Sequence, residues 1–291
     1  MKKLLFLIVC LPTLIFSQND LLDEIDSEPK GPQYATAAFK ALKIVNFEST
    51  KLVAKKELTF IVAHRFGSIE NGFDSFFGLD DAVTRLNFVY GISDGFNIGA
   101  SRSSFQKIYE FSAKYRLLRQ TENGFPLTVV GYNSFLINTS LEKNNLPLLK
   151  FKHRLGYTGQ LLISRKINTN FSVELVPTFF HDNLTPTFYD ENQVKISDQD
   201  NSQFALGFGG RYKLGKRWSL NMDYGWHLNR DDNSPFKNPL SIGLDLETGG
   251  HVFQMHFTNA QGMNTNSFLG QGTGDWSDGN IYFGFNLSRV F

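Results

Sequence analysis

The residues best suited to chemistry are charged side chains in segments where polar and apolar residues alternate. Sorted by parity, they share the polar face of those segments with glycines and small polar residues. Together they could form an electrostatic field that selects small charged solutes, or they could pair as salt bridges. The candidates are Arg65, Arg85, Lys114, Arg116, Arg154, Arg211 and Lys213 on the basic side, and Glu110, Glu174, Asp223, Asp245 and Glu247 on the acidic side.

The histidines are the next candidates, as catalytic bases or metal ligands. A serine esterase site needs Ser and His within reach, for example two apart on a strand or directly across two strands. None of the six histidines has a Ser two residues away. His251 and His256 lie five residues apart, so on a regular strand they face opposite sides and cannot share a metal ion. The sequence predicts no enzyme, no metal site and no cofactor.

Composition excludes several classes of protein. The 14% aromatic content among 291 residues disfavours intrinsic disorder. Past residue 17 there is no apolar run of about 20 residues, so membrane-spanning helices are not expected. With 29 basic against 28 acidic residues there is no basic surplus, and nucleic acid is not an expected partner.

The amino terminus has the pattern of a secretory signal peptide. Lys2 and Lys3 precede an apolar run that ends near Phe16, and Ser17 is followed by polar residues. We expect residues 1–17 to be removed, and the single cysteine, Cys10, to leave with them. The mature chain would then contain no thiol and no disulfide.

The elements that position the charged residues are predicted to be β-strands, because alternation dominates from residue 57 onward. Residues 218–228 show it most clearly, with apolar or aromatic residues at every second position from Trp218. Charges and glycines in mid-strand on the other face suit an enclosed wet interior better than a solvent-exposed sheet face. The pattern therefore favours a closed barrel.

Connection lengths support the same fold. Short turns such as 93–95 and 248–250 alternate with long polar stretches such as 181–201 and 259–279, with the 103–106 link as the short exception. We expect an all-β, transmembrane, antiparallel up-and-down barrel of outer-membrane type in residues 57–291, located in the outer membrane of a Gram-negative cell with its short turns periplasmic. The twelve expected strands are 57–66, 82–92, 95–104, 107–119, 125–137, 153–165, 170–180, 203–214, 217–228, 239–247, 250–258 and 280–291.

Aromatic residues near strand ends are expected at the membrane interfaces. Trp218 and Trp226 lie eight residues apart on one face, which at a typical tilt spans roughly 20 Å, close to the separation of two aromatic girdles. The final strand resembles the signal by which outer-membrane barrels are recognised for insertion, so the barrel-assembly machinery and outer-membrane lipid are expected partners. The residues of that signal are Phe283, Phe285, Leu287 and Phe291.

Residues 18–56 belong to no obvious strand. Residues 20–28 are acidic and precede two prolines, which indicates a tether, whereas residues 34–47 are more apolar. The segment could enter the lumen as a plug, follow the periplasmic rim or add a strand. A single added strand would make the count odd, so we expect a periplasmic leader or a luminal plug.

Several stretches together resemble one known family. They are residues 241–259 and 283–291, with shorter matches at 64–67, 77–80, 114–120 and 209–213. They are similar to the membrane-bound β-barrels of domain-of-unknown-function family 5777. The resemblance implies the fold and the membrane location, and it assigns no catalytic residues.

These observations lead to two main functional hypotheses, with an outer-membrane lipid-modifying enzyme as a distant third. The first is passive or selective passage of small polar solutes through a narrow charged lumen. The second is a non-conducting structural or docking subunit that binds an envelope protein partner. In the lumen, pairing of the charged residues competes with partial segregation, since Asp223, Asp245 and Glu247 are expected on neighbouring strands with Arg211 and Lys213 beside them.

Overall fold

The computed structural model describes residues 32–189, 191–192 and 195–291. The predicted signal peptide, 1–17, and residues 18–31 of the predicted leader lie outside this range. No helix within the described part of the chain is long and apolar enough to cross a membrane.

Twelve strands close into one antiparallel barrel in which strands adjacent in the barrel are also consecutive along the chain, apart from one small inserted hairpin. This confirms the predicted fold class and strand count. The barrel strands are β1 (Leu58–Ser68), β2 (Ala82–Ser93), β3 (Phe96–Ser103), β4 (Ile108–Leu118), β5 (Thr128–Asn138), β6 (Leu155–Lys166), β7 (Phe171–Asp182), β10 (Ser202–Lys213), β11 (Trp218–His227), β12 (Leu240–Thr248), β13 (His251–Thr258) and β14 (Tyr282–Val290). The inserted hairpin between β7 and β10 consists of β8 (Thr187–Tyr189) and β9 (Lys195–Asp198).

Alternation places one row of side chains outside and the next inside. In β11, Trp218 and Trp226 are 43% and 52% exposed, whereas Ser219 and Asp223 between them are buried. An apolar row exposed on the outer wall of a closed barrel is the arrangement expected for contact with lipid.

The barrel closes where the first strand meets the last. β1 pairs with β14 from Thr59↔Val290 to Ser68↔Tyr282, with one irregularity near the loop end. Leu58 and Phe291 exchange backbone hydrogen bonds of 3.1 and 2.8 Å, so the ladder continues to residue 291. Closure leaves this sheet without a free edge.

Two segments from outside the strands fill the interior. We call residues 38–53 the luminal hairpin and residues 259–272 the loop insert; nearly all of both are buried. The loop insert contains a short helix, α1 (Thr265–Gly270), all of whose residues are buried. The largest hydrophobic core therefore lies within the barrel lumen, where Phe39 and Phe47 of the hairpin and Phe268 of the insert meet apolar wall residues such as Val130 and Leu162.

Three local expectations differ from the structure. The long 259–279 connection, expected as a polar loop, contains the buried helix α1. The long 181–201 connection, expected as a polar loop, contains the β8–β9 hairpin. Arg154 was expected on a strand, but it ends the 3₁₀ turn Phe151–Arg154 and β6 begins one residue later.

Candidate functional site

The luminal hairpin enters and leaves the barrel at its short-turn end. Ala35 N–H donates to Gln120 O at 3.0 Å before the hairpin, and Lys56 N–H donates to Gly91 O at 2.8 Å after it. Inside, Ile44 and Phe47 close a tight turn through a 2.9 Å backbone bond. The tip of the hairpin is therefore Val45–Asn46.

The tip is held by a single carboxylate on the barrel wall. Oδ2 of Asp223 accepts backbone N–H groups from Val45, Asn46 and Phe47 at 3.0, 2.7 and 3.0 Å. Consecutive backbone N–H groups that converge on one anion form a nest, and bonds to a charged acceptor are stronger than neutral ones. We call this arrangement the Asp223 latch.

The side chain of Asn46 extends the latch to three further wall strands. Its Nδ2 donates to Ser241 Oγ at 2.9 Å and to Thr258 Oγ1 at 3.0 Å. Its Oδ1 accepts from Nη2 of Arg65 at 3.0 Å, and Nη1 of Arg65 donates to Asn286 Oδ1 at 3.0 Å. The buried Arg65 therefore bonds to carboxamide oxygens on both the hairpin and the wall.

The returning leg of the hairpin makes ionic and hydroxyl contacts on the opposite wall. Glu48 lies 2.8 Å from Nζ of both Lys114 on β4 and Lys43 on the hairpin. Thr50 N–H donates to Oε2 of Glu174 at 3.1 Å, and its Oγ1 lies 2.6 Å from Oγ of Ser164. Nearer the rim, Lys40 and Glu247 form a half-exposed pair at 2.9 Å.

Glycines on β10 make room for the hairpin. A Cβ at Gly207 would lie 2.5 Å from the Phe47 ring, and one at Gly209 would lie 2.2 Å from Cδ1 of Ile44. The outward-facing Gly210 has nothing within 4 Å of its corresponding position. The inner glycines therefore allow large hairpin side chains to pack against the wall backbone.

The loop insert closes the opposite half of the lumen. Asn264 caps α1 by accepting Ser267 N–H at 3.0 Å, and the Phe268 ring meets the Phe47 ring edge-on at a centroid distance of 4.9 Å. Arg230, in the loop after β11, donates to Leu269 O at 2.6 Å. Burial lowers the pKa of Arg230 to about 10, and nearby Tyr224 opposes this shift. The guanidinium therefore stays charged at neutral pH. It donates to a backbone carbonyl at the carboxyl end of α1, where the last turn of a helix leaves carbonyl groups without helical partners.

Among the twelve charged candidates, one direct wall-to-wall ion pair is present, between Arg85 and Glu110 at 2.6 Å. Tyr132 donates to the same carboxylate at 3.2 Å, and Arg85 also donates to Met263 O of the loop insert. The other inner charges bind polar groups of the wall or the hairpin. Arg211 donates to Ser219 at 3.1 Å, and Asp245 accepts from Gln254 at 3.1 Å.

Besides Glu247 at the rim, three candidates lie away from the centre of the lumen. Arg116 and Lys213 are half-buried near the short-turn ends of their strands. Arg154 lines a cavity of about 700 Å³ at the loop end, together with Leu136, Asp182 and Phe236. Arg154 is therefore near the long loops and far from the hairpin.

Sequence reasoning missed the uncharged partners of these groups. Asn46, Gln254 and Asn286 are buried and connect the hairpin to the wall, for example through Asn286 Nδ2 to Val45 O at 3.2 Å. The available signal was their position, since Gln254 and Asn286 lie on the inward parity of β13 and β14. Within the described residues there is no cluster of three or more His, Cys, Asp or Glu that could hold a metal ion.

The expected membrane-facing residues lie on the outer wall. Phe283 and Phe285 alternate with the buried Gly284 and Asn286, and Phe283 contacts Phe257 with a centroid distance of 5.5 Å. Leu287 follows on the same face, and Phe291 is 61% exposed at the short-turn end.

Three solved structures align with most of this chain but share little sequence identity with it. A NanC porin structure aligns with TM-score 0.48 and 10% identity, covering 80% of this chain and 98% of that one. A KdgM porin in complex with disordered oligogalacturonate aligns with TM-score 0.49 and 9% identity, covering 81% and 99%. The COG4313 outer membrane channel from Pseudomonas putida F1 aligns with TM-score 0.48 and 13% identity, covering 83% and 97%.

Sequence comparison gives the family. A search of curated proteins found no significant match. The family described as a membrane bound beta barrel domain matches residues 39–291, a range that includes nearly all of the luminal hairpin as well as the barrel. The resemblance seen in the sequence is thereby confirmed, and the chain belongs to domain-of-unknown-function family 5777, whose members are membrane-bound β-barrels.

Proposed function

We propose that this barrel is an outer-membrane channel for small polar solutes that is closed by its own luminal hairpin. Withdrawal of the hairpin towards the short-turn end opens the passage. The supporting observation is that several inner-wall charges bind the hairpin. Those charges are Asp223, Glu174, Lys114 and Glu247.

This distribution of contacts favours a removable closure over a permanent core. Charges that paired across the wall would remain paired whether or not the hairpin was present, as Arg85 and Glu110 do. Asp223 and Lys114 would instead face water and solutes after withdrawal. Ionised groups are well solvated in a wet lumen, so the open wall has a low desolvation cost.

The route of withdrawal is geometrically simple. Both ends of the hairpin lie at the short-turn end, where Ala35 and Lys56 bond to residues beside the short turns. The hairpin can therefore leave without threading a chain terminus through the barrel. The loop insert narrows the opposite half, and its Phe268 loses its aromatic partner when Phe47 leaves.

A reversible cross-link tests the proposal. Thr50 Oγ1 and Ser164 Oγ are 2.6 Å apart, so cysteines at both positions have sulfur atoms within reach of a disulfide. In planar bilayers, we expect the oxidised Thr50→Cys, Ser164→Cys protein to lose the conductance steps of the native protein and to regain them on reduction. The Thr50→Cys single variant is the matched control, because it lacks the partner thiol at position 164 and forms no bridge between the hairpin and the wall.

Deletion of residues 18–56 separates the channel hypothesis from its rival. We expect larger and more frequent conductance steps from the deleted protein, provided that it keeps the heat-modifiable gel migration of a folded barrel. Silence from both the native and the deleted protein, with normal migration, would refute the channel. That result would support the non-conducting structural or docking subunit.

A further inference from the structure

His181 and Ser202 lie opposite each other on the outer wall of the barrel. They are register partners on β7 and β10, and Nδ1 of His181 is 2.9 Å from Oγ of Ser202. Both belong to the outward row, as do Phe179 and Phe204, which are exposed two residues further into the barrel strands. Twenty-one positions separate His181 and Ser202 along the chain, so the pair is not visible from local spacing.

A third residue orients the imidazole. Nε2 of His181 is 2.9 Å from Oδ1 of Asn183. The Asn183 carboxamide is itself oriented, because its Nδ2 donates to Lys152 O at 2.7 Å. Its oxygen must then accept a hydrogen from Nε2, which leaves Nδ1 of the neutral ring as the acceptor facing the Ser202 hydroxyl. Hydrogen bonds thus connect Ser202, His181 and Asn183 in the order of a nucleophile, a base and a residue that orients the base.

An apolar groove leads away from these residues along the outer wall. It has a volume of about 480 Å³ and is lined by Gly131, Gly159, Leu161, Pro177, Phe179 and Phe204 among others. Gly159 is the register partner of Phe179, and Tyr157, the partner of His181, places its ring 6.2 Å from the imidazole. The groove therefore begins two residues along each strand from the His–Ser pair, at Phe179 and Phe204, and its largely apolar lining suits an acyl chain.

We propose that Ser202, His181 and Asn183 form an acyl-ester hydrolase site that takes lipid esters from the surrounding membrane. The Ser202 oxygen attacks the ester carbonyl carbon while its proton passes to Nδ1 of His181. The tetrahedral intermediate collapses by breaking the carbon–oxygen bond to the alcohol, which leaves with the proton from Nδ1. Water then attacks the acyl-serine by the same proton path, releasing the fatty acid and restoring Ser202.

Labelling with a fluorophosphonate tests the nucleophile. The folded full-length protein in detergent micelles is treated with the probe, and the modified residue is identified by peptide mass spectrometry. We expect labelling at Ser202, and its loss in Ser202→Ala. Ser104→Ala is the matched control, since Ser104 is an exposed serine at the same end of the barrel whose Oγ accepts Thr84 N–H and, among the residues that the structure describes, bonds to no histidine.

Hydrolysis of p-nitrophenyl esters tests the activity. We expect His181→Gln to lower kcat by roughly 100-fold, the size of a lost general base. Asn183→Ala should lower kcat with little change in KM and should alter the pH profile, because the histidine tautomer is no longer fixed. Gly159→Phe partly fills the groove, so it should lower the rate on a dodecanoate ester about tenfold relative to a butyrate ester.

The controls distinguish a variant that fails to fold from a folded variant that has lost the hydrolase site. Each variant must show the heat-modifiable migration of the native barrel before its rate is compared. Ester hydrolysis that persists in Ser202→Ala, or a native protein that neither reacts with the probe nor hydrolyses either ester, overturns the proposal. Channel conductance is not involved in any of these measurements, so the two proposals succeed or fail separately.

Discussion

Replacing Asp223 by Asn is the sharpest perturbation of the luminal hairpin. The substitution keeps the size and one acceptor oxygen of the side chain but removes its charge. Three backbone N–H groups, from Val45, Asn46 and Phe47, then bond at best to a neutral oxygen. We expect the closed state to be weakened while the barrel stays folded.

The size of the effect follows from the three bonds. A hydrogen bond to a charged group contributes about 1.5–3 kcal/mol and a neutral bond about 0.5–1.5 kcal/mol, so the gross loss is about 3 kcal/mol. Part of this loss is offset, because the variant no longer buries a carboxylate when the hairpin returns. A net change of about 1–3 kcal/mol lowers the closed-to-open ratio roughly 5- to 150-fold.

Single-channel recording in planar bilayers measures that ratio from open and closed dwell times. Glu110→Gln is the matched control, because Glu110 is a buried inner-wall carboxylate that bonds to the wall residues Arg85 and Tyr132. An Asp223→Asn protein with the native open probability, or an equal rise in both variants, would refute the role given to the latch.

Three further predictions concern the packing of the lumen. Gly207→Ala should raise the open-to-closed ratio roughly tenfold, because its Cβ would lie 2.5 Å from the Phe47 ring, whereas Gly210→Ala should leave bilayer recordings unchanged. Arg85→Met should lower the free energy of unfolding, measured by urea titration, by about 3–5 kcal/mol, because Glu110 is left buried without its cation. The double variant Arg85→Met, Glu110→Gln should recover much of that loss, and an equal loss in both proteins would contradict this account. Phe268→Ala should destabilise the loop insert by about 3–5 kcal/mol and make residues 259–272 sensitive to limited proteolysis from the loop side, whereas unchanged cleavage would show that the insert is held by other contacts.

The barrel was predictable because its signal is local. Each strand carries its own alternation, as β11 does from Trp218 to His227, and the short turns fix which strands are neighbours. The expected and observed strands agree to within a few residues even where a turn was misread, as at Arg154. A closed antiparallel sheet requires little information beyond these local patterns.

The contents of the lumen were much less predictable. Asn46 and Asp223 are 177 residues apart, and nothing in either neighbourhood indicates that one binds the other. The sequence left a plug and a rim position open for the leader, and it gave no indication that residues 259–272 fold inward. A clue was present in Phe268–Leu269, an apolar pair shortly after the helix-capping Asn264. Contacts of this kind depend on the three-dimensional shape of the interior.

The His181–Ser202 pair shows the same limit on the outer wall. Its register is set by the length of the β7–β10 connection, including the β8–β9 hairpin, which the sequence did not reveal. Searching for serines two residues from each histidine could not find a partner on another strand.

The barrel closes at the seam where β1 pairs with β14, and this pairing constrains the order in which the protein is assembled. Because Thr59 pairs with Val290, the wall cannot become continuous until β14 has been synthesised. The luminal hairpin immediately precedes β1, so its covalent attachment lies at that seam. We therefore expect the wall to form around the hairpin, with the last strand sealing it in. An early contact between Asp223 and the hairpin tip would then act as an internal template, and variants that weaken it should slow insertion as well as alter gating.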